Sequence, residues 1–491
     1  MNGDVMFEYD DFDIIIINGR LIDGSGRPEF LADLGIKDDR IVKIGDLEGA
    51  SAKYHIDATG KVVAPGFIDV HTHDDASLIL RPDMTPKLSQ GVTTVICGNC
   101  GISGAPYSSK GNPPGLLRLV FKSDAFVAES MEAFIAKVEG AKPTINSAFL
   151  VGHTTLRMEV MGDDDLNRTA TDEEIILMRS KLKECMEQGA IGLSTGLFYE
   201  PAFKASTEEV IGVAKVLKEF GGIYATHMRD EADKVIESVE ETLEIGRQID
   251  AHVIISHHKC QGKRNFGKST KTLELIREAK ANQSLALDVY PYDACSTVLE
   301  ESMVKNAVRT LISWSDPHPE FTATYLDDVA EKLGCNEQEA IEKLQPAGAI
   351  YFMMDEGDVK QIMASPDAMI GSDGLPEDKH PHPRLWGTFP RVLGRYVREQ
   401  KLMTLEEGVH RMTGLSAQQF GLVERGRLKE GMFADVTVFD PDKIIDTSTF
   451  EKPISKANGI DLVIVNGQVV WQNGQCTGSR PGKVLKRPHV N

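Results

Sequence analysis

Two kinds of hydrophobic pattern divide the chain. Residues 13–64 alternate short β-type runs with turn signals: Asp13–Asn18 ends at Gly19, 32–37 turns at Asp38-Asp39, Arg40–Gly45 follows, and Lys61–Ala64 leads to Pro65. The end of the chain looks alike, with runs at 434–439, 461–465 and 468–471 separated by Asp440-Pro441 and Asn466-Gly467. Neither half has enough strands for an independent core. The pattern therefore predicts a small β-sandwich built from both termini, residues 1–64 and 415–491, with the middle of the chain inserted.

The middle, residues 65–414, repeats another unit. Apolar, β-branched runs recur at 66–70, 92–96, 147–151, 190–193, 222–225, 253–255, 285–289 and 368–370. Most are separated by stretches of helical period; in one of them Thr171 and Glu174 have the spacing of a capping box. The stretches from Ser206 and from Lys234 show the same period. Strands alternating with helices in this number predict an α/β fold, a (β/α)8 TIM-like barrel, with a doubly wound open sheet as the competing arrangement. The segment at about 296–345 is too long for one crossover and reads as polar and helical. It is expected to be a lid-like insertion over the barrel mouth, or else an oligomer contact.

Charge and cysteine usage narrow the setting. The chain has 491 residues, with 74 acidic against 54 basic side chains and a net charge of −20. This disfavours nucleic acid and anionic membrane as partners, since both need a basic surface. The acidic start, MNGDVMFEYDDFD, lacks the layout of a signal peptide, and no apolar run approaches the ~20 residues of a membrane span. Seven scattered cysteines do not read as a disulfide framework. A reduced, cytoplasmic protein is expected; the sequence sets no oligomeric state.

Chemistry gathers where the middle strands end. The first ends in His71-Thr-His73, whose alternation lets both imidazoles face one point. The second ends in Cys97-Gly-Asn-Cys100, the fifth in Thr226-His227, the sixth in Ser256-His257-His258-Lys259 and the eighth in Ser372-Asp373. In a barrel these ends share one face, so residues far apart in sequence form one cluster. With no second Cys-x-x-Cys and a glycine-rich turn, Cys100 is preferred to Cys97 as a single ligand. His258 points away from His257 and reads as packing. His153 is either a satisfied core histidine or an outer donor. His252 starts its strand, at the wrong end for chemistry, whereas His380 and His382 sit in a proline-rich loop that could touch substrate.

The run Pro65-Gly-Phe-Ile-Asp-Val-His-Thr-His73 resembles the amidohydrolase superfamily. Gly98-Asn-Cys-Gly-Ile-Ser103, Thr226-His-Met-Arg229, Ser256-His-His-Lys259 and Gly371-Ser-Asp-Gly374 narrow the resemblance to the N-acyl-D-amino-acid deacylases, or D-aminoacylases, over nearly the whole chain. Relatives that act on cyclic amides bridge two metals with a lysine after strand four; here that stretch is Ser194–Glu200, without lysine. The resemblance implies a tightly held Zn2+ on Cys100, His227 and His257, and a weaker site at His71, His73 and Asp373. A thiolate with two imidazoles suits zinc. Asp373 is then the expected acid–base group. Lys259, two residues after His257, is a candidate cation for the substrate carboxylate. The resemblance adds Tyr199, Tyr290, Ser296 and Arg384. The implied substrate is a small N-acyl-D-amino acid. Thr297–Met303 holds two acids and no basic residue before Lys305, which favours neutral or apolar side chains. A cyclic-amide hydrolase and a non-catalytic assembly protein are the alternatives.

Overall fold

The computed structural model describes residues 12–108, 115–121, 126–163 and 165–487; the acidic start read for targeting lies mostly outside them. Strands β1 (Phe12–Leu21), β2 (Phe30–Lys37), β3 (Arg40–Gly45), β4 (Ala52–Asp57) and β5 (Val62–Pro65) open the chain. The barrel strands are β6 (Phe67–Asp69), β7 (Val92–Cys97), β8 (Asn146–Gly152), β9 (Gly192–Gly196), β10 (Ile223–His227), β11 (His252–Ile255) and β12 (Leu285–Val289). An insertion carries β13 (Ala294–Val298), β14 (Arg309–Ser315) and β15 (Ala347–Phe352) before the last barrel strand, β16 (Ala368–Ile370). The chain ends with β17 (Val436–Phe439), β18 (Ile460–Val465), β19 (Gln468–Gln472) and β20 (Gln475–Cys476).

The terminal strands form one sheet in the order β20-β19-β18-β17-β5-β1-β2-β3, with β4 parallel on β1. Its two ends meet. Asp39 O accepts from Ala434 N at 2.8 Å, and Gly467, at φ +75°, packs against the Asp38 carbonyl. Ile16, Leu34, Ile36, Val63, Val436 and Ile464 share the enclosed core. One expectation fails here: β1 runs through Gly19, with a register shift against β2 between Ile16 and Gly19. The glycine serves close packing instead of a turn, since a Cβ there would lie 2.5 Å from Val63 Cγ2.

Eight parallel strands follow one another in chain order from β6 to β16. The ring closes just beyond the strand ends, where Thr72 bridges Gly374 and Asp373 N donates to His71 O at 2.8 Å. Alternation sends Ile68, Ile96, Leu150, Ile223, Ile254 and Met369 into a common cluster that Leu415 and Phe420 join from the helix Gly414–Phe420. Neighbouring positions such as Phe67, Val95, Val151 and Leu287 face the surrounding helices. Each such side chain contributes about 1.5–3 kcal/mol when fully buried. The helix Asp172–Glu187 begins with the reciprocal Thr171–Glu174 box.

The insertion differs from its helical expectation. It is built on a three-stranded antiparallel sheet, β13-β15-β14, over which the helices Leu326–Leu333 and Glu337–Leu344 pack. His382 Nε2 lies 3.0 Å from Ala294 O and His380 Nε2 2.7 Å from Phe450 O. Both rings therefore fasten the proline-rich loop to its neighbours and do not line the metal-donor pocket. Among the described residues, no helix is long and apolar enough to cross a membrane.

Candidate metal centre

The strand ends converge on one buried cluster. His71, His73, Cys100 and Asp373 place a donor atom each within 4.8 Å of one another, and so do Cys100, His227 and His257. Cys100 Sγ stands 3.3 Å from His71 Nε2 and 3.4 Å from His257 Nε2. His227 Nδ1 faces His257 Nε2 at 3.0 Å. Asp373 Oδ1 is 3.2 Å from His73 Nε2 and 3.5 Å from His71 Nε2. Cys97 turns elsewhere, its Sγ 3.3 Å from Thr72 Oγ1.

Three of these side chains are aimed by unusual backbone. Cys100, His257 and Asp373 have φ of +52°, +35° and +50°, a left-handed conformation costing about 1–2 kcal/mol for a non-glycine residue. Nearby groups hold them there. Ser194 Oγ accepts from Gly101 N at 3.0 Å and donates to Gly98 O, bracing the cysteine turn from β9. Asp288 Oδ1 takes the His257 N–H at 2.9 Å. Asp69 accepts from Ser372 N at 2.8 Å and from Lys87 Nζ at 2.7 Å. Lys87 is wholly buried, 3.0 Å from both Asp74 Oδ2 and Ser372 Oγ.

Electrostatics suits a cation. Burial alone would raise the Cys100 thiol, yet the His71 and His257 imidazoles hold it well below the ordinary thiol range. Burial also opposes ionisation of Asp373, but Arg384 and His257 hold its carboxyl well below the usual carboxylate value. The outer ring nitrogens meet carboxylates: His71 Nδ1 is 3.4 Å from Asp288 and His257 Nδ1 3.1 Å from Glu231. Such outer partners orient the inner nitrogens toward a metal. A soft thiolate with two imidazoles fits zinc, and the His/His/carboxylate set fits a second divalent ion less tightly.

The other candidates are spread around this centre. Tyr199, Tyr290, Ser296 and Lys259 line the pocket beside it. Tyr199 Oη is 3.1 Å from Thr297 Oγ1, and Ser296 Oγ donates to Ala349 O at 3.2 Å. Lys259 Nζ sits 2.8 Å from both Glu231 oxygens, so its charge is already matched. Arg384, fully buried, places Nη1 2.8 Å from Asp373 Oδ2 and its guanidinium 4.6 Å from the Tyr290 ring centre. Its Nε and the buried Tyr290 Oη have no hydrogen-bond partner among the described residues. His258 Nε2 lies 2.7 Å from Thr272 Oγ1, away from the donors. His153 is buried with Glu209 and Arg157.

Sequence reading passed over Glu231 and Asp288. Each had a signal: Glu231 follows His227 by four positions, and Asp288 is an acid inside the apolar run Leu285–Val289.

A model of the amidohydrolase family matches residues 55–330 and 320–471. A D-aminoacylase of Alcaligenes xylosoxydans xylosoxydans is 53% identical over 97% of this chain and 98% of its own. An N-acyl-D-aspartate deacylase from the same organism is 48% identical over 96% and 95%. The crystal structure of an N-acyl-D-glutamate deacylase from Bordetella bronchiseptica, complexed with zinc and a phosphonate that mimics the tetrahedral intermediate, superposes with a TM-score of 0.94 at 46% identity, covering 97% of this chain and 100% of that one.

Proposed function

The chain belongs to the amidohydrolase family, and from that premise we propose that it hydrolyses the N-acyl amide of D-amino acids to a carboxylate and the free D-amino acid. Its relatives are named for this reaction. The observation that carries the reading is Asp373 in the donor cluster of His71, His73 and Cys100, with Arg384 and the unpartnered Tyr290 hydroxyl beside it. Cys100, His227 and His257 would hold the tight zinc; His71, His73 and Asp373 would form the weaker site. When bound, zinc supplies a Lewis acid that polarises a carbonyl and lowers the pKa of water toward neutrality.

Asp373 accepts the proton of the attacking water and passes it to the nitrogen as the C–N bond breaks. Its depressed pKa keeps it ionised at neutral pH, ready for the first transfer. The substrate α-carboxylate meets Arg384 Nε and Tyr290 Oη, whose donors are unspent. Ile102, Val120, Phe198, Met303 and Leu375 form the apolar part of the pocket, and the one basic lining residue among those described is Lys259, matched by Glu231. An acidic side chain therefore finds no free cation. Neutral, apolar N-acyl-D-amino acids are the preferred substrates, in contrast to the relatives named for D-aspartate and D-glutamate. Seven free thiols support a reducing, cytoplasmic setting.

A chiral panel tests this. The zinc-loaded protein is expected to release acid from N-acetyl-D-leucine or N-acetyl-D-methionine, not from the L-forms, and to stop with chelator. Asp373→Asn is expected to cut kcat by about 10²–10⁴-fold while keeping one tight zinc. Faster turnover of N-acetyl-D-glutamate would overturn the side-chain preference.

A further inference from the structure

A second cavity, of about 470 Å³, adjoins the metal pocket between the residues after β9, the segment 116–119 and the inserted sheet. That size is ordinary for a site taking a small organic molecule, and it lies beside the pocket at the donors. Leu116, Leu119, Pro201, Val298, Leu299 and Trp314 make the larger cavity mainly apolar. Leu119 and Tyr199 belong to both cavities. The Tyr199 ring is centred 5.0 Å from that of His227, so the two spaces meet one aromatic ring away from the donor cluster.

Topology and charge decide which end of a substrate enters. An amide carbonyl at the donors has an acyl tail on carbon and, on nitrogen, the amino-acid half with its carboxylate. The unspent donors for that carboxylate are Tyr290, just past β12, and Arg384, beyond β16. Tyr199 follows β9, three strands round the barrel from β12. The larger cavity also carries Glu200 and Glu300, the latter with its carboxyl raised by burial and by Glu200, and both repel a carboxylate. Its one arginine, Arg118, is 3.0 Å from Asp316.

Resting on the deacylase reading, we propose that this groove is an acyl-chain subsite that takes the alkyl tail of the N-acyl group, making medium-chain N-acyl-D-amino acids the preferred substrate class. The groove contributes contact area beyond the scissile bond, so its effect falls mainly on KM. Each methylene buried there is worth up to about fourfold in binding.

Two series with the zinc-loaded protein test it. N-acetyl-, N-butanoyl- and N-octanoyl-D-leucine vary the tail; N-acetyl derivatives of D-alanine, D-leucine and D-2-aminodecanoate vary the side chain. KM is expected to fall at least tenfold from acetyl to octanoyl, with no matching fall in the side-chain series. Val298→Trp, which fills the groove, is expected to abolish the octanoyl advantage and leave N-acetyl-D-leucine turnover within about twofold. A flat acyl series, or a gain confined to the side-chain series, overturns the assignment. The length dependence in the unaltered protein decides the matter even if Val298→Trp does not fold. Failure to hydrolyse any N-acyl-D-amino acid sinks the deacylase reading and this one together.

Discussion

Cys100 is the one side chain common to both donor clusters. It sits on a left-handed residue braced by Ser194 and at the meeting point of four imidazoles, those of His71, His73, His227 and His257. A hydroxyl is similar in size but is neither soft nor acidic enough to replace a thiolate on zinc. Cys100→Ser is therefore expected to lose the tight zinc, with metal analysis falling from about one ion per chain to well below, while the thermal midpoint of the metal-free protein moves little. Retained stoichiometric zinc would count against the cysteine as a ligand. Arg384 has a different expected signature, because its proposed role is to hold the substrate carboxylate. Arg384→Met is expected to raise KM by about 10–100-fold with zinc content unchanged, reflecting the loss of a charge-assisted contact worth about 1.5–3 kcal/mol.

Among the elements, the helices His153–Met161 and Thr207–Ala214 are tied by a wholly buried ion pair, Arg157 with Glu209. Burial would raise the Glu209 carboxyl, but His153 and Arg157 pull it down to about 2 from its model-compound value of 4.5. Burial also lowers the His153 imidazole, so the lasting positive charge is that of Arg157. Because the folded pKa lies below the unfolded one, the contribution is complete at neutral pH and disappears as pH falls from about 4.5 through about 2. Glu209→Gln is expected to lower the melting temperature at pH 7 and to flatten its decline over that acid range, read by calorimetry at successive pH values. The same scale shows what could be read in the sequence. The barrel strands were legible because most begin in or contain an apolar run and alternate with stretches of helical period, and the candidate ligands were legible because they sit at the ends of those strands. The inserted sheet was not. Ala294–Val298 and Ala347–Phe352 contain small and polar residues, and the strong caps of the adjoining helices dominate the pattern. Glu231 and Lys87 were hidden for a related reason: an isolated charge in a loop or short helix reads as solvated until the fold buries it.

For the molecule as a whole, the barrel and the terminal sheet are joined by polar contacts as well as by chain. Asn146, on β8, donates to Asp435 at 3.1 Å and accepts from Asn466 at 2.8 Å, while Arg425 pairs with Asp435. The last described segment then runs beside β8: Ser147 N donates to Lys483 O at 3.0 Å and Leu485 N to Ser147 O at 2.7 Å. Removing residues 480–491 is expected to cost about 2–4 kcal/mol, from two buried backbone bonds and the packing over them, seen as a lower midpoint in urea. Zinc content should stay the same, because this edge lies at the opposite ends of the strands from the donors.

The split sheet also sets an order of events during synthesis. Strand β5 needs β17 on its free edge, and about 370 residues of barrel lie between them. At roughly 5–20 residues per second a ribosome takes about 20–75 s to cover that distance. For that interval β5 presents an unpaired apolar edge, Val62–Pro65, first while the barrel strands up to β16 are made and then beside a barrel able to close. The nascent chain must therefore carry an open sheet until its last strands emerge, and factors that shield such an edge should raise its yield more than its final stability.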